Sequence, residues 1–243
     1  MSYFQYFPLV DYKFGNEESL TVFRDITAYS DIIDQVKDNI AFYQDYIIQG
    51  NERPDQISYK LYGVSTLHWT LYLLNDKLKE NGWPISNGKV IEKAQREYSK
   101  TTLTTKTPLY DKFKVGQTIT GNISAASAKI DHRHLDIGQL VITDIVDGPF
   151  VSGETIVSTN SENIIESIVL QSTSLEYLSA HHYENAAGET VDIDPAIGPG
   201  ALLTEVTYLD RMIKQNEELK NIRVIKPTSI QQIIFAYRES ISS

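Results

Sequence analysis

Apolar residues in the first third of the chain recur mostly at helical spacing. From Leu20 onward, Val22, Phe23, Ile26 and Tyr29 fit one helix, and Ile32, Ile33, Val36, Ile40 and Tyr43 fit a second. The pattern then changes. Tyr46, Ile47 and Ile48 read as the end of a strand and Gly50-Asn51 as a turn. Arg53-Pro54 opens a helix, with proline at the first helical position, where its missing N–H costs nothing. Ile57 and Leu61 lie four apart on one face, and Gly63 stands where a left-handed helix end favours glycine. Ser65 is placed to cap a second helix with Leu67, Leu71 and Leu74 on its apolar face, and Asn75 closes it. Helices this short do not stand alone in water, so the pair must pack on each other and on the strand. Asn81-Gly82-Trp83-Pro84 is a turn signal, and Lys89 to Lys100 reads as a polar helix with Val90, Ile91 and Ala94 on one side.

Between residues 107 and 176 the helical period disappears and Thr, Ile, Val, Ser and Gly dominate, which marks an inserted all-β domain. The insert repeats internally: Phe113 to Ile119 recurs as Phe150 to Ile156. Each copy ends one apolar-polar alternation at a glycine turn and starts another, so the pair predicts a small two-fold-like sandwich or barrel. Past residue 177, Val206, Leu209 and Ile213 mark a helix face. Ile222 to Lys226 is a strand stopped by Pro227, and Ser229 with Gln232 forms a capping-box pattern. Ile230, Ile233, Ile234, Tyr237 and Ile241 give the final helix one apolar stripe. The chain therefore reads as α+β in three parts. Residues 1–106 hold helices and a strand-helix-helix module at about 43–86, residues 107–176 the insert, and residues 177–243 a hairpin, helix, strand and helix.

Composition narrows the function. A formal net charge of −10 argues against a nucleic-acid surface, which needs clustered Lys and Arg. No cysteine is present, so neither a disulfide framework nor a Cys-ligated zinc is available. The first ten residues carry no basic stretch and no long apolar run, so neither a leader nor a membrane partner is expected. Fifteen tyrosines against two methionines favour residues that serve half-wet interfaces.

The chemistry-bearing residues read as structural. His132 and His134, flanked by Asp131 and Asp136, would share one strand face as a metal pair, but Ile130 occupies the same face and no third ligand is near in sequence. His181 and His182 point to opposite faces if extended, and His68 beside Trp69 reads as packed or interfacial. Glu52 and Asp55 suit a helix N-terminus better than acid catalysis. Nucleophile-elbow, phosphate-loop, dinucleotide and zinc-protease motifs are all missing. The expectation is a non-enzyme with no catalytic residue, cofactor or metal.

Two blocks carry a family resemblance. Arg53-Pro54-x-x-Ile57-Ser58-x-x-Leu61-Tyr62-Gly63, followed by Leu67-His68-Trp69-x-Leu71-x-x-x-Asn75, resembles the LysM-like baseplate wedge protein of T4-like contractile-tailed bacteriophages. Thr204 to Ser240 and His182 to Gly188 resemble that family's C-terminal part, so the likeness covers residues 20–106 and 177–243. A LysM closes with a second strand soon after its second helix, and here only Trp83-Pro84-Ile85 is available. The resemblance implies a structural virion protein of the tail baseplate, assembled in the host cytoplasm. It would clamp wedge proteins and join neighbouring wedges around a six-fold ring. Implied partners are the ring-forming and sheath-initiator-like wedge proteins, with no nucleic acid or membrane. Arg53, Tyr62, His68, Trp69, Tyr72 and the aromatic N-terminus are the expected protein contacts. The alternative is a peptidoglycan-binding LysM module of a tail-associated or cell-wall protein.

Overall fold

The computed structural model describes residues 6–16, 19–27 and 30–242. In chain order, strands β1 (Leu9–Tyr12) and β2 (Thr21–Arg24) precede helix α1 (Ile32–Asp38) and strand β3 (Tyr43–Ile47). Helices α2 (Pro54–Tyr62), α3 (Trp69–Leu74), α4 (Asp76–Asn81) and α5 (Asn87–Glu97) follow. Next come β4 (Thr101–Thr105), β5 (Thr118–Gly121), β6 (Ser127–His134), β7 (Gln139–Val146), β8 (Thr155–Thr159) and β9 (Ile165–Leu175). The chain ends with β10 (Ala180–Glu184), β11 (Thr190–Val191), β12 (Thr204–Thr207), α6 (Tyr208–Lys220), β13 (Asn221–Ile225) and α7 (Ile230–Ser242). These elements form two compact units. One joins Met1–Ser86 to Asn216–Ser243, and the other is Asn87–Gln215.

In the first unit β3 pairs antiparallel with β13, from Tyr43 opposite Ile225 to Ile47 opposite Asn221. The strand that completes β3-α2-α3 thus comes from the far end of the chain. Trp83-Pro84-Ile85 forms no strand; Ile85 is instead held by the Asn216 amide, which accepts from its N–H and donates to its carbonyl, each at 2.9 Å. Helix α2 begins at Pro54, the Gln56 side chain accepts from the Arg53 N–H at 2.9 Å, and Gly63 ends the helix at φ 74°. Ser65 caps nothing: it starts a short 3-10 turn, Ser65–Leu67, before α3. Ile57, Leu71, Leu78 and Val224 make one buried cluster, while Val36, Leu74, Ile225, Ile230, Ile233 and Ile234 make another. The stripe on α7 is therefore covered within its own unit, while Phe235, outside the stripe, stays exposed.

The helix expected from Leu20 does not form. Residues 21–24 are a strand paired with residues 9–12, and Tyr29 lies outside the described residues. Val22 and Phe23 are β-formers side by side, and the bend at Gly15 (φ 52°) and Asn16 lets the chain return on itself. The second expected helix stops at Asp38, because the chain from Tyr43 is drawn into the ladder with β13.

The second unit contains a closed barrel with strand order β4-β7-β6-β5-β8-β9. Its repeat is geometric as well as textual. Gly116 and Gly153 take φ 87° and 86°, and their N–H groups donate to Ile130 and Leu170 across the next strand. Ile119 faces Ser158 and Ile156 faces Gly121, so a local two-fold passes through the Thr120–Val157 pair. It exchanges β5 with β8, β6 with β9, and β7 with β4. Strand β4, upstream of both copies, thus supplies the sixth position. Phe113, Ile119, Leu140, Phe150, Ile156 and Leu170 fill the interior. Burial pushes the Glu154 carboxyl up, but the N–H groups of Ser124, Val151 and Ile123 and the Ser124 hydroxyl outweigh it and hold the group below its ordinary value. β11, β10 and β12 form a separate three-stranded sheet.

Candidate interaction surface

The β1–β2 hairpin is an exposed surface of the first unit that its own packing does not explain. All eight ladder residues are exposed. Val10 opposite Phe23 and Tyr12 opposite Thr21 share one face, and Leu9 and Val22 lie on the other with Asp11 and Arg24. Leu9 is 64% exposed and Val22 58%, so neither face is packed. Tyr12, Phe14 and Phe23 hold one another edge-on at centroid distances of 4.9 to 6.5 Å, which keeps the aromatic tip ordered without burying it. At the base the Asp25 N–H donates to the Pro8 carbonyl at 2.8 Å and Arg24 donates to the Phe7 carbonyl at 3.3 Å. Phe7 is buried with Ile33, Tyr237 and Ile241. The result is an anchored arm. A lone two-stranded hairpin is marginal in water, and one with an exposed aromatic face and no third strand among the described residues is a template for another chain.

The residues singled out from sequence divide differently. Trp69 packs in the core, 5.4 Å from the Tyr237 ring. Tyr62 donates to the Ile225 carbonyl at 2.9 Å, and burial pushes its hydroxyl up to about 12. Tyr72 lies against Trp83, its hydroxyl also raised by burial. Arg53 and His68 are exposed; Arg53 bridges to Asp55 at 3.0 Å, and His68 Nδ1 lies 2.9 Å from the Ser65 carbonyl. The five do not form one patch: the aromatics line two cores and the two exposed groups stand apart. Tyr3 and Phe4 of the aromatic N-terminus lie outside the described residues. The sequence reading named the aromatic N-terminus as a contact but missed the hairpin that holds Leu9, Val10, Tyr12 and Phe14. Phe14-Gly15-Asn16 between two β-prone runs was the signal that could have found them.

The same unit offers a groove of about 500 Å³ beside β3 and β13, lined by Asp45, Tyr46, Asn75, Lys77, Ile222 and Arg223. Asn75 gives it a floor. Its amide accepts from the Arg223 N–H and donates to the Arg223 carbonyl, each at 2.8 Å, in place of a third strand. Glu52 is engaged rather than poised for acid chemistry. Burial pushes its carboxyl up, but the Gln49 N–H, the Tyr46 hydroxyl and Lys60 bring it below its ordinary value.

In the second unit four of the chain's five histidines gather near Tyr208. His132 Nδ1 meets Asp131 at 2.7 Å and His134 Nε2 meets the Tyr208 hydroxyl at 2.9 Å, so these two are engaged separately rather than held as a ligand pair. His181 and His182 do not diverge as an extended strand requires. A register shift between Ala180 and His182 brings their Nδ1 atoms to 2.9 Å. Arg211 can only donate to His181 Nε2, which leaves the proton on His181 Nδ1 to bond His182, and the proton on His182 Nε2 to bond Glu184. Among the described residues no group of three His, Asp or Glu side chains could hold a metal ion.

Residues 3–105 match the family model described as Base plate wedge protein 53. The matched stretch takes in the hairpin arm, β3 and helices α1 to α5, and it ends on β4. None of the curated proteins compared with the chain matches it. The family match supports a structural part in a phage tail baseplate, among other baseplate proteins.

Proposed function

We propose that the chain is a non-enzymatic baseplate wedge subunit of a contractile tail, which clamps wedge proteins and joins neighbouring wedges around the six-fold inner ring. The observation that carries this reading is the anchored hairpin, exposed along its whole ladder, with an aromatic face and no third strand among the described residues, inside the stretch that resembles a wedge protein. Strand addition to such an arm uses backbone hydrogen bonds for affinity and alternate side chains for register. Closing a ring makes each later contact effectively intramolecular, so modest interfaces suffice.

On this reading β3-α2-α3-β13 is a LysM-like module split by a long insertion between its second helix and its second strand. Arg53 and His68 are its exposed protein contacts, while Tyr62, Trp69 and Tyr72 hold the helices that present them. The ring-forming and sheath-initiator-like wedge proteins are the partners, and the barrel is a decoration on the wedge fold. The subunit assembles in the host cytoplasm and ends in the virion.

Mass spectrometry of purified tails, run beside a pull-down on peptidoglycan, tests the assignment. The chain should be present at a copy number divisible by six and should not be retained on the glycan. Retention on peptidoglycan with absence from tails would favour a glycan-binding module and overturn the wedge reading.

A further inference from the structure

We propose that a cavity on the outer face of the barrel is a binding site for a neutral saccharide of one or two rings, a role separate from wedge assembly. The cavity encloses about 330 Å³, at the small end of the roughly 300–1,000 Å³ usual for ligand sites. Its floor is a cross-strand row in which Ser172, Thr104 and Gln139 stand directly opposite one another on β9, β4 and β7. Gln171, Ser174 and Tyr183 complete the polar wall. The segment around Pro195 closes one side. It sits so tightly that a Cβ at Gly138 would fall 2.9 Å from the proline Cβ, and Gly138 also needs φ 64°.

The decisive atom is the side-chain carbonyl of Gln139. The residue is 2% exposed, and its Oε1 has no hydrogen-bond partner among the described residues. One row along the same face, the Thr102 hydroxyl is also buried and unpartnered. An orphaned buried acceptor costs about 1–3 kcal/mol, so a small side-chain shift that brings Gln139 Oε1 to a donor in the cavity is favourable. The ligand must therefore bring an O–H or N–H. The lining says which: the hydroxyls of Thr104, Ser172 and Ser174 and the amide of Gln171 can each give and take a hydrogen bond, as a polyol does. Lys106 and Glu205 contribute one charge of each sign, which favours neither an anion nor a cation.

Titration of the full chain with N-acetylglucosamine and with maltose, followed by amide NMR spectra, tests this. At least one sugar should give saturable shifts at Thr104, Gln171, Ser172 and Tyr183. Gln139→Met should melt no lower than the wild type, since it removes an orphan, and should bind about tenfold more weakly or worse. Ser172→Ala, at a half-exposed position, should show the same loss of binding with the melting point unchanged. Absence of saturable shifts with both sugars at millimolar concentration would overturn the proposal. So would a Gln139→Met variant that melts lower, because Gln139 would then be holding structural water alone.

Discussion

Asn75 shows how one side chain joins distant segments. It donates to the Leu71 carbonyl at 2.7 Å, ending α3, and with the same amide it pairs both backbone groups of Arg223. The sequence marked this asparagine as the close of a helix, but its partner lies 148 residues away and no local pattern announces it. Asn75→Ala orphans three backbone groups beside a water-accessible groove, so a loss of about 2–3 kcal/mol in urea unfolding is expected. A loss below about 0.5 kcal/mol would show that water replaces the amide at no cost. The histidines make a second residue-level case. Burial, then Arg211, His182 and His134, depress His181; burial and His132 depress His134, partly offset by Asp136. Their unfolded forms bind protons at a pH where the folded forms do not. The stability they contribute is thus complete above the ordinary value of 6.5 and is lost as pH falls below it. Acidification from neutral should lower the melting point of the barrel unit, and His181→Gln should flatten that slope. A melting point that rises on acidification would contradict the tautomer chain through Arg211, His181, His182 and Glu184.

Among the elements, those set by short-range chemistry were legible. Pro54 and Gly63 bound α2 as read, and the apolar stripe of α7 is where its spacing put it. The repeat from Phe113 and Phe150 identified paired turns, and their glycines share one backbone conformation. Two elements escaped because tertiary pairing outweighed periodicity. Val22, Phe23 and Ile26 have helical spacing, yet they pair with or follow the β1 ladder, and β3 found its partner past residue 220. The arm itself suggests a clean element-level prediction. Pro8 and Asp25 are already bonded at 2.8 Å, so residues 9–24 can be replaced by a two-glycine link at little strain. Because the ladder residues are exposed, the melting point should change by no more than a few degrees, while incorporation into baseplates should be lost. A large drop in stability would mean that the arm is part of the fold and not a contact surface.

For the whole molecule, the plan is a helical unit interrupted by a barrel-bearing one. The change of composition set an all-β insert at residues 107–176, but the sequence could not show that the first unit resumes at Asn216. Ile85 and Asn216 lie side by side through reciprocal 2.9 Å hydrogen bonds, so the two ends of the interruption are together. Replacing 87–215 by a short Gly-Ser linker should therefore leave the first unit cooperatively folded, with loop closure changing by only about a kilocalorie. An unfolded product by circular dichroism would show that the two units share their stability. The most direct test of the wedge account is a cryo-electron microscopy map of the assembled baseplate at side-chain resolution. The account predicts the strands Leu9–Tyr12 and Thr21–Arg24 buried against another subunit, with at least one edge extended by a neighbour's strand. A map in which the hairpin projects into solvent, while the chain is held through other surfaces, would contradict it.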